Sequence, residues 1–511
     1  MDSASRFSPL ATWVHYDLAM LHRHAGWSDH VACSAKRAII VSPAFDLGYA
    51  LLGRAQMEVG AHENAVRSFM RTTHIVHLPD RSYLENLAAA HVQLRDVEPA
   101  ITILRPLILQ DPANLNTLSN YSVACHYAGD LQFAERYTGW CLVIRPDFAD
   151  AYCNQGLVAR MRGDVVTAKA AFDRSIELSG GRSFDIYTRG VFHLAEGDPV
   201  QGALDYNARW EIRGFSTSRN LYPEPSLPLP LWDGGVQRGS VLALWGEQGV
   251  GDEIWFSGFI EAIRDRVGEI RLEVTPHLVS LLRRSFPAIT VLARGDKGTE
   301  TAMRSADLQC PIGNLLMILA AERAEPGYLS VDQKRASRLR ERYRAAGDGR
   351  RLVGVSWRSV KPGRGTRSFE APLDAWGAVF GLPDTTFVSL QYGDVTKDQR
   401  LVRDRFGVDL LVDSEIDGKA DLDGFAAQMA AMDAVVSVAN ASVSVAHGLN
   451  KPIYVALQLL QEDWRYSRSR DPSRWMPTAR QAWQTRKGEW APVLDAQAAR
   501  LAGEVGVADT G

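Results

Sequence analysis

The chain has 511 residues, 46% of them hydrophobic and 23% charged, with 57 basic against 60 acidic side chains and a formal net charge of −3. This length allows about three domains, each with its own core, and the composition leaves no region disordered on that ground alone. The lack of a basic excess excludes a general nucleic-acid binder.

The opening MDSASRFSPL has no charged segment followed by an apolar one, so it does not read as a signal peptide. The longest apolar run, Leu315–Ala321, is too short to span a bilayer. A cytoplasmic chain without a membrane span is expected. Cys33, Cys125, Cys141, Cys153 and Cys310 form no C-x-x-C pair. They read as small buried apolar residues in a reducing compartment.

From residue 13 to 212 one pattern returns every 34 or 35 residues. A turn position reads Gly26, Gly60, Arg95, Gly129, Gly163 and Gly197, followed five residues later by a small residue such as Ala65, Ala100, Ala134, Ala168 or Gly202. Pro43, Pro112 and Pro146 close repeats. The pattern resembles the tetratricopeptide repeat, here in six helix–turn–helix copies. The glycine supplies a left-handed turn, and the small residue lets the two helices approach. Stacked units form a superhelix with a concave groove, suited to a peptide or protein, although a spacer role is the alternative. Asn86, Asn120 and Asn154 recur at one repeat position. They are candidate protein-binding residues, because in peptide-binding arrays an Asn there often bonds a ligand backbone; the alternative is a plain helix-surface Asn. Tyr206, Trp210 and Ile212 read as an apolar seam ending the array. Pro223, Pro225, Pro228 and Pro230 then make a stiff connector.

Strand and helix patterns alternate beyond residue 240. Val241–Trp245 is an apolar strand, followed by Gly246, Gly249 and Gly251 and a helix over Ile254–Val267. This is the first half of a βαβ unit, with backbone N–H groups and a positive helix end available to a ligand. G-E-Q-G-V-G-D-E does not fit G-x-G-x-x-G, so it is no dinucleotide fingerprint. Further strands are expected at Ile270–Val274 and Thr290–Leu292, with a helix over His277–Ser285 between them, and the pattern continues through Asp307–Cys310 to a helix around Leu315–Ala321. After a charged helix over Val331–Ala346, strands follow at Leu352–Trp357, Thr386–Leu390, Ala434–Val438 and Ile453–Ala456, with helices at Leu373–Phe380, Lys397–Phe406 and Asp421–Met432 and one beginning near Ser442. Such alternation implies parallel sheets covered by helices, with a cleft between the carboxyl ends of two halves.

In order, GEQGVGDEIWF, GVSWRS, FVSLQYGD, DLDGFAAQMAAMDAVVSV, ANASVSVAHGLNKP and EDWRYSR…WMPTARQAWQ resemble repeat-linked bacterial glycosyltransferases of the GT-B fold. These are relatives of the heptosyltransferases and, more distantly, the O-GlcNAc transferases. The resemblance implies an all-α tetratricopeptide superhelix followed by an α/β GT-B fold of two Rossmann-like halves. The expected domains are 1–212 (repeats), 213–239 (connector), 240–348 (first half) and 349–511 (nucleotide-sugar half). Flagellin glycosyltransferases are of this kind. That implies transfer to Ser or Thr of flagellin held by the repeats, typically from a CMP-activated nonulosonic acid. No cofactor beyond this nucleotide-sugar substrate and no metal are expected. The alternatives are a heptosyltransferase-like enzyme acting on lipid or polysaccharide, and a non-catalytic adaptor.

Asp252 is the first candidate base, because the heptosyltransferases have theirs in a similar Gly-Asp loop; capping a helix is its competing role. Glu253 is the alternative base. Gly249 and Gly251 belong to the same loop. Arg358, Lys361 and Arg367 are candidates for the donor phosphate, since guanidinium groups bind it bidentately, or else form a solvated basic loop. Gln391 and Tyr392 are expected to line the nucleotide pocket, with Asp394 at the ribose or capping a turn. Asn440, Ser442 and Ser444 begin a helix whose N–H groups can hold phosphate. The relatives usually have His at position 444 and Gly at 447, where this chain has Ser444 and His447. His447 therefore reads as packed or exposed. Trp464 and Arg465 either close over the donor or, for Trp464, pack in the core.

Overall fold

A computed structural model describes residues 9–24, 27–76, 80–212, 227–348, 350–359 and 369–508. The described residues fall into two compact units. One holds those up to Arg189 together with Ala208–Ile212, and the other holds Gly190–Asn207 and everything from Leu227 onward. The expected Lys361 and Arg367 lie outside the described residues.

The N-terminal region is a succession of helix pairs: α1 (Pro9–His24) with α2 (Ser28–Val41), α3 (Asp46–Glu58) with α4 (His62–Ile75), α5 (Arg81–Leu94) with α6 (Val97–Gln110), α7 (Leu115–Ala128) with α8 (Leu131–Ile144), and α9 (Ala149–Met161) with α10 (Val165–Ser179). They are followed by α11 (Ser183–Glu196) and α12 (Pro199–Tyr206). The turn position is left-handed in four successive repeats, with φ of 74° at Gly60, 60° at Arg95, 84° at Gly129 and 76° at Gly163. Arg95 therefore keeps the conformation without the glycine, and its guanidinium lies 4.5 Å over the Tyr127 ring. Ala61 follows the first of these turns and an Asp each of the later ones, and the side chains of Asp130, Asp164 and Asp198 accept backbone N–H groups of the next helix.

A second small position fixes how closely each pair packs. A Cβ at Gly53 would fall 2.6 Å from the Phe69 ring, and one at Gly156 would fall 2.5 Å from Phe172. The equivalent pairs in the two intervening repeats are Ala88 with Leu104, both fully buried, and Ser122 with Thr138, hydroxyl to hydroxyl at 2.6 Å. Cys125, Cys141, Cys153 and Cys310 are buried, whereas Cys33 is exposed, contrary to its expected burial. Burial pushes the Cys125 thiol up to about 12 and that of Cys141 up to about 11, so neither is a reactive thiolate near neutrality.

The other unit contains two parallel sheets. The first, in order β3-β2-β1-β4, is built from β1 (Gln237–Trp245), β2 (Val267–Val274), β3 (Thr290–Ala293) and β4 (Leu308–Pro311). Its helices are α13 (Val250–Ser257), α14 (Ile260–Ile263), α15 (Val279–Ser285), α16 (Lys297–Arg304) and α17 (Leu315–Ile318). The expected helix over Ile254–Val267 is instead α13, begun four residues earlier, then the short α14 and a 3-10 turn, and Val267 already belongs to β2. The described part of the connector runs beside β4: Gln309 N–H donates to the Pro230 carbonyl and Trp232 N–H to Gln309, at 2.9 and 2.8 Å. An otherwise open sheet edge is thereby paired.

The second sheet has the order β11-β10-β9-β5-β8. It follows α18 (Gln333–Ala346) and contains β5 (Arg351–Ser356), β8 (Thr385–Ser389), β9 (Ala434–Val438), β10 (Ile453–Leu457) and β11 (Ala479–Trp483), while the two-residue strands β6 (Arg358–Ser359) and β7 (Phe369–Glu370) pair antiparallel. Its helices are α19 (Gly377–Phe380), α20 (Thr396–Phe406), α21 (Leu422–Ala431), α22 (Ala441–Gly448) and α23 (Ala491–Ala508). Every residue of β9 and β10 is buried, as expected of central parallel strands covered on both faces. Among the described residues, no helix is long and apolar enough to cross a membrane.

The two glycine types separate experimentally. Gly163→Ala meets nothing within 4 Å and costs only the left-handed strain, about 1–2 kcal/mol. Gly156→Ala adds a clash with Phe172 and is expected to cost about 1–3 kcal/mol. In urea melts the joint variant Gly156→Ala/Phe172→Leu recovers part of that loss, while adding Phe172→Leu to Gly163→Ala recovers none.

Candidate functional site

All strands of both sheets run parallel within their sheet, so the loops after β1, β5, β8, β9 and β10 leave from carboxyl ends, where ligands of open α/β sheets bind. After β1 the chain enters Gly246–Gly249 and then α13. A buried charge cluster holds this loop. Arg294, following β3, donates to Glu253 at 2.8 Å, to Glu273 at 2.9 Å and to the Gly246 carbonyl at 2.7 Å. Both carboxylates have fully buried side chains. The other Glu253 oxygen accepts the Thr275 N–H at 2.9 Å. Burial opposes the charge on Arg294, but the two glutamates outweigh it and raise its pKa. Glu253 thus pins the loop from beneath and has no exposed oxygen to offer a substrate, which corrects its expected role as alternative base. Glu247, also buried, accepts the Gly313 N–H at 2.6 Å and ties the loop to the end of β4.

Asp252 occupies the first turn of α13. Its Oδ2 accepts the Gly249 N–H at 2.9 Å, so it caps the helix from within rather than from the N-cap position, which Gly249 holds. Its Oδ1 lies 3.0 Å from Arg465 Nη2, and its side chain stays 22% exposed. Arg465 is also bound by Asp463, at 2.6 Å. Burial works against the Arg465 charge, yet Asp463 and Asp252 prevail and hold its pKa above the ordinary arginine value. Arg465 Nη1 is buried and without a hydrogen-bond partner.

On the second sheet, Gln391 is buried, and its Oε1 accepts from Arg358 N at 3.0 Å, Trp357 N at 3.2 Å and Ser356 Oγ at 3.3 Å. Its Nε2 is buried and unpartnered. Tyr392 beside it is half-buried. Asn440 caps α22, with Oδ1 accepting the Ser442 N–H at 2.9 Å, while its Nδ2 donates to Ser356 Oγ at 2.8 Å. Gln391, Ser356 and Asn440 are therefore one network across the ends of β8, β5 and β9. Arg358 is engaged with Asp398 and with the Asp394 carbonyl. Asp394 caps the turn into α20 by accepting Thr396 N–H and Oγ1–H at 2.9 and 2.6 Å, which lowers its pKa.

The two sheets' loops meet at α13 and α22, which pack against each other. A Cβ at Gly251 would lie 3.3 Å from Ala441 Cα and 3.5 Å from Ser444 Oγ. Gly251 thus permits close approach, and Ser442 and Ser444 are buried beside it. One turn further, His447 is fully buried, its Nδ1 3.1 Å from Thr478 Oγ1 and its Nε2 without a partner. Burial first, then Arg465 and Arg323, push its pKa down to about 4. Trp464 packs edge-on against Trp255, Trp475 and Tyr206, at centroid distances of 5.2, 5.4 and 5.8 Å.

The structure therefore brings together Gly249, Gly251, Asp252 and Ser444, and separately Arg358, Gln391 and Asn440. The repeat asparagines belong to the other unit. Asn86 and Asn120 are half-buried there, and Asn154 is buried and bonds Ser119 on the preceding repeat at 3.1 Å. Sequence reasoning missed Arg294, Glu273 and Ser356. A charged residue two positions beyond an expected strand, as Arg294 is, was the available signal. Among the described residues, no group of three or more His, Cys, Asp or Glu is placed to hold a metal ion.

No family model matches the chain. Over 478 residues it is 28% identical to Protein FlbA of Caulobacter vibrioides, covering 88% of this chain and 77% of that protein. A stretch of 55 residues, 11% of the chain, is 42% identical to tetratricopeptide repeat protein 36 of Homo sapiens and covers 29% of it. Among solved structures, a thermophilic tetratricopeptide repeat protein of Thermus thermophilus is 20% identical, with 33% of this chain and 91% of that chain covered and a TM-score of 0.30. YrrB, described as having an unusual peptide-binding site, is 14% identical, with 34% and 90% covered and a TM-score of 0.28.

Arg294→Met strands two buried carboxylates and is expected to cost about 3–5 kcal/mol, against less than about 1 kcal/mol for Arg304→Met at an exposed pair. Both are read from urea midpoints. His447 binds its proton less readily folded than unfolded, so the unfolded state takes up more protons as pH falls from 6.5 to about 4. Stability is lost over that window, and His447→Gln is expected to flatten the loss in melts taken at successive pH values.

Proposed function

We propose that this chain is a GT-B glycosyltransferase that moves a nonulosonic acid from a CMP-linked donor to a Ser or Thr hydroxyl of a protein, flagellin, recruited by its repeats. The observation that carries this reading is the meeting of the two sheets' carboxyl-end loops, Gly251 against Ala441 and Ser444, beside the Asp252–Arg465 pair. The two parallel sheets, the repeat array and the order of the sequence segments support it further.

In this reading the acceptor hydroxyl attacks the anomeric carbon. The new C–O bond forms as the bond to the phosphate oxygen breaks, and CMP leaves with that electron pair. Asp252, whose carboxylate remains partly exposed, takes the hydroxyl proton. Arg465 holds the Asp252 carboxylate in place, and the N-terminus of α22 meets the charge on the leaving phosphate. Gln391 and Tyr392 line the nucleotide side. Arg358 is held by Asp398, so its part is to shape that wall unless the donor displaces the aspartate. Counter-charge from the helix end makes the transfer metal-independent, and chelation should leave its rate unchanged. One observation favours a second reading, a binding adaptor without transfer: Asp252 is already neutralised by an ion pair.

A thermal-shift series with CMP, UDP, GDP and ADP separates these. A ligand bound only by the folded chain raises the melting temperature, by an amount equivalent to about 2.7 kcal/mol of added stability at a hundred times its Kd. CMP is expected to give the shift, and Asp252→Ala is expected to keep it while losing at least about 100-fold in transfer to flagellin, as for a lost general base. A shift with none of the four nucleotides at millimolar concentration would sink the transferase reading and leave the adaptor.

A further inference from the structure

The loop that carries Arg465 is held from outside both sheets. Glu196, the last residue of α11, is 9% exposed. Its Oε1 accepts the Arg468 N–H at 2.5 Å. Its Oε2 accepts Ser467 Oγ–H at 2.9 Å, Ser469 Oγ–H at 2.5 Å and the Ser469 N–H at 3.3 Å. One buried carboxylate thus gathers four donors from three consecutive residues, beginning two residues after Arg465. Nearby, Trp475 Nε1–H donates to the Leu194 carbonyl at 2.7 Å. Gln481 Oε1 accepts the Ser467 N–H at 3.0 Å from the other side.

The same helix pair reaches the glycine loop. Tyr206, at the end of α12, accepts a hydrogen bond from Gln248 Nε2 at 2.6 Å, and its ring meets Trp464 edge-on. The loop carrying Arg465 and the glycine loop that leads into the helix of Asp252 are therefore both anchored by Gly190–Asn207, residues that the repeat pattern assigns to the array. Four bonds to a carboxylate far exceed what closing a surface loop requires, and charge-assisted bonds of this kind are the strong ones.

We infer that Glu196 is a positioning residue: its carboxylate fixes Ser467–Ser469 so that Arg465 meets Asp252 and holds that partly exposed carboxylate in place for the acceptor hydroxyl. The inference takes the transferase reading of that site as its premise. It gives the last repeat a part in the reaction apart from acceptor recruitment.

The test uses the full chain with Glu196→Gln, which keeps the shape and loses the charge, and Glu196→Ala. Amide hydrogen exchange is followed along the sequence, with transfer kinetics beside it. In Glu196→Ala, amides of 463–475 are expected to exchange at least about tenfold faster, with Glu196→Gln between it and the native chain. Exchange in β5 and β9 should stay unchanged. Transfer should lose kcat with the KM for the protein acceptor unaltered. Unchanged exchange over 463–475, or acceleration spread equally over β5 and β9, would overturn the positioning role. So would a normal kcat in Glu196→Ala. If the native chain neither binds a nucleotide nor transfers sugar, the transferase reading fails, and with it the catalytic part of this inference. The exchange pattern then decides alone whether Glu196 holds the loop.

Discussion

A single buried guanidinium governs the geometry of the sheet-bearing unit. Arg294 sits between two carboxylates that water does not reach, and its remaining reach is spent on the Gly246 carbonyl. Such a cluster is neutral to costly in net stability beside an apolar core of equal volume, but strongly destabilising when half removed. Its return is directional. With Glu253 locked at the fourth position of α13, the helix can start in only one orientation, and that orientation turns Gly251 to the second sheet and Trp255 into the core.

Aromatic packing extends what the charge cluster begins. Trp255, Trp464 and Trp475 meet edge to face, with Phe256 and Tyr206 completing the group. These residues come from α13, from the loops beyond β10 and from the end of α12. Edge-to-face pairs add about 0.5–1.5 kcal/mol each beyond buried area. The group makes the loop holding Arg465 part of the core while its charged tip remains at the Asp252 carboxylate.

Most of the secondary structure was legible because its signals were local. The repeat period, the glycine turns and the apolar strands each speak within a few residues. β11 and α23 were missed: Ala479–Trp483 is interrupted by the adjacent polar residues Arg480 and Gln481, and α23 is rich in Ala and Gly with a weak apolar stripe. The start of α13 was misplaced because two glycines, Gly249 and Gly251, flank Val250 and hide a capped helix end. Asp252 could be singled out from its loop. Its partner Arg465 lies 213 positions away (465 − 252) and meets it only through the fold. Glu253 looked equivalent to Asp252 in sequence, and only the helical rotation of one residue, about 100°, sends one carboxylate to the surface and the other to Arg294.

The paired sizes inside the repeats carry a consequence for how such an array can change. Gly53 faces Phe69, Ser122 faces Thr138 and Gly156 faces Phe172, while Ala88 and Leu104 are buried in one core cluster at the equivalent positions. What one helix gives up in bulk its mate supplies, so each repeat solves the packing problem privately. Whole repeats are then interchangeable parts, and an array can lengthen or shorten by duplication or deletion of complete units. Single helices are not, because a helix moved to another repeat brings half of a fitted pair.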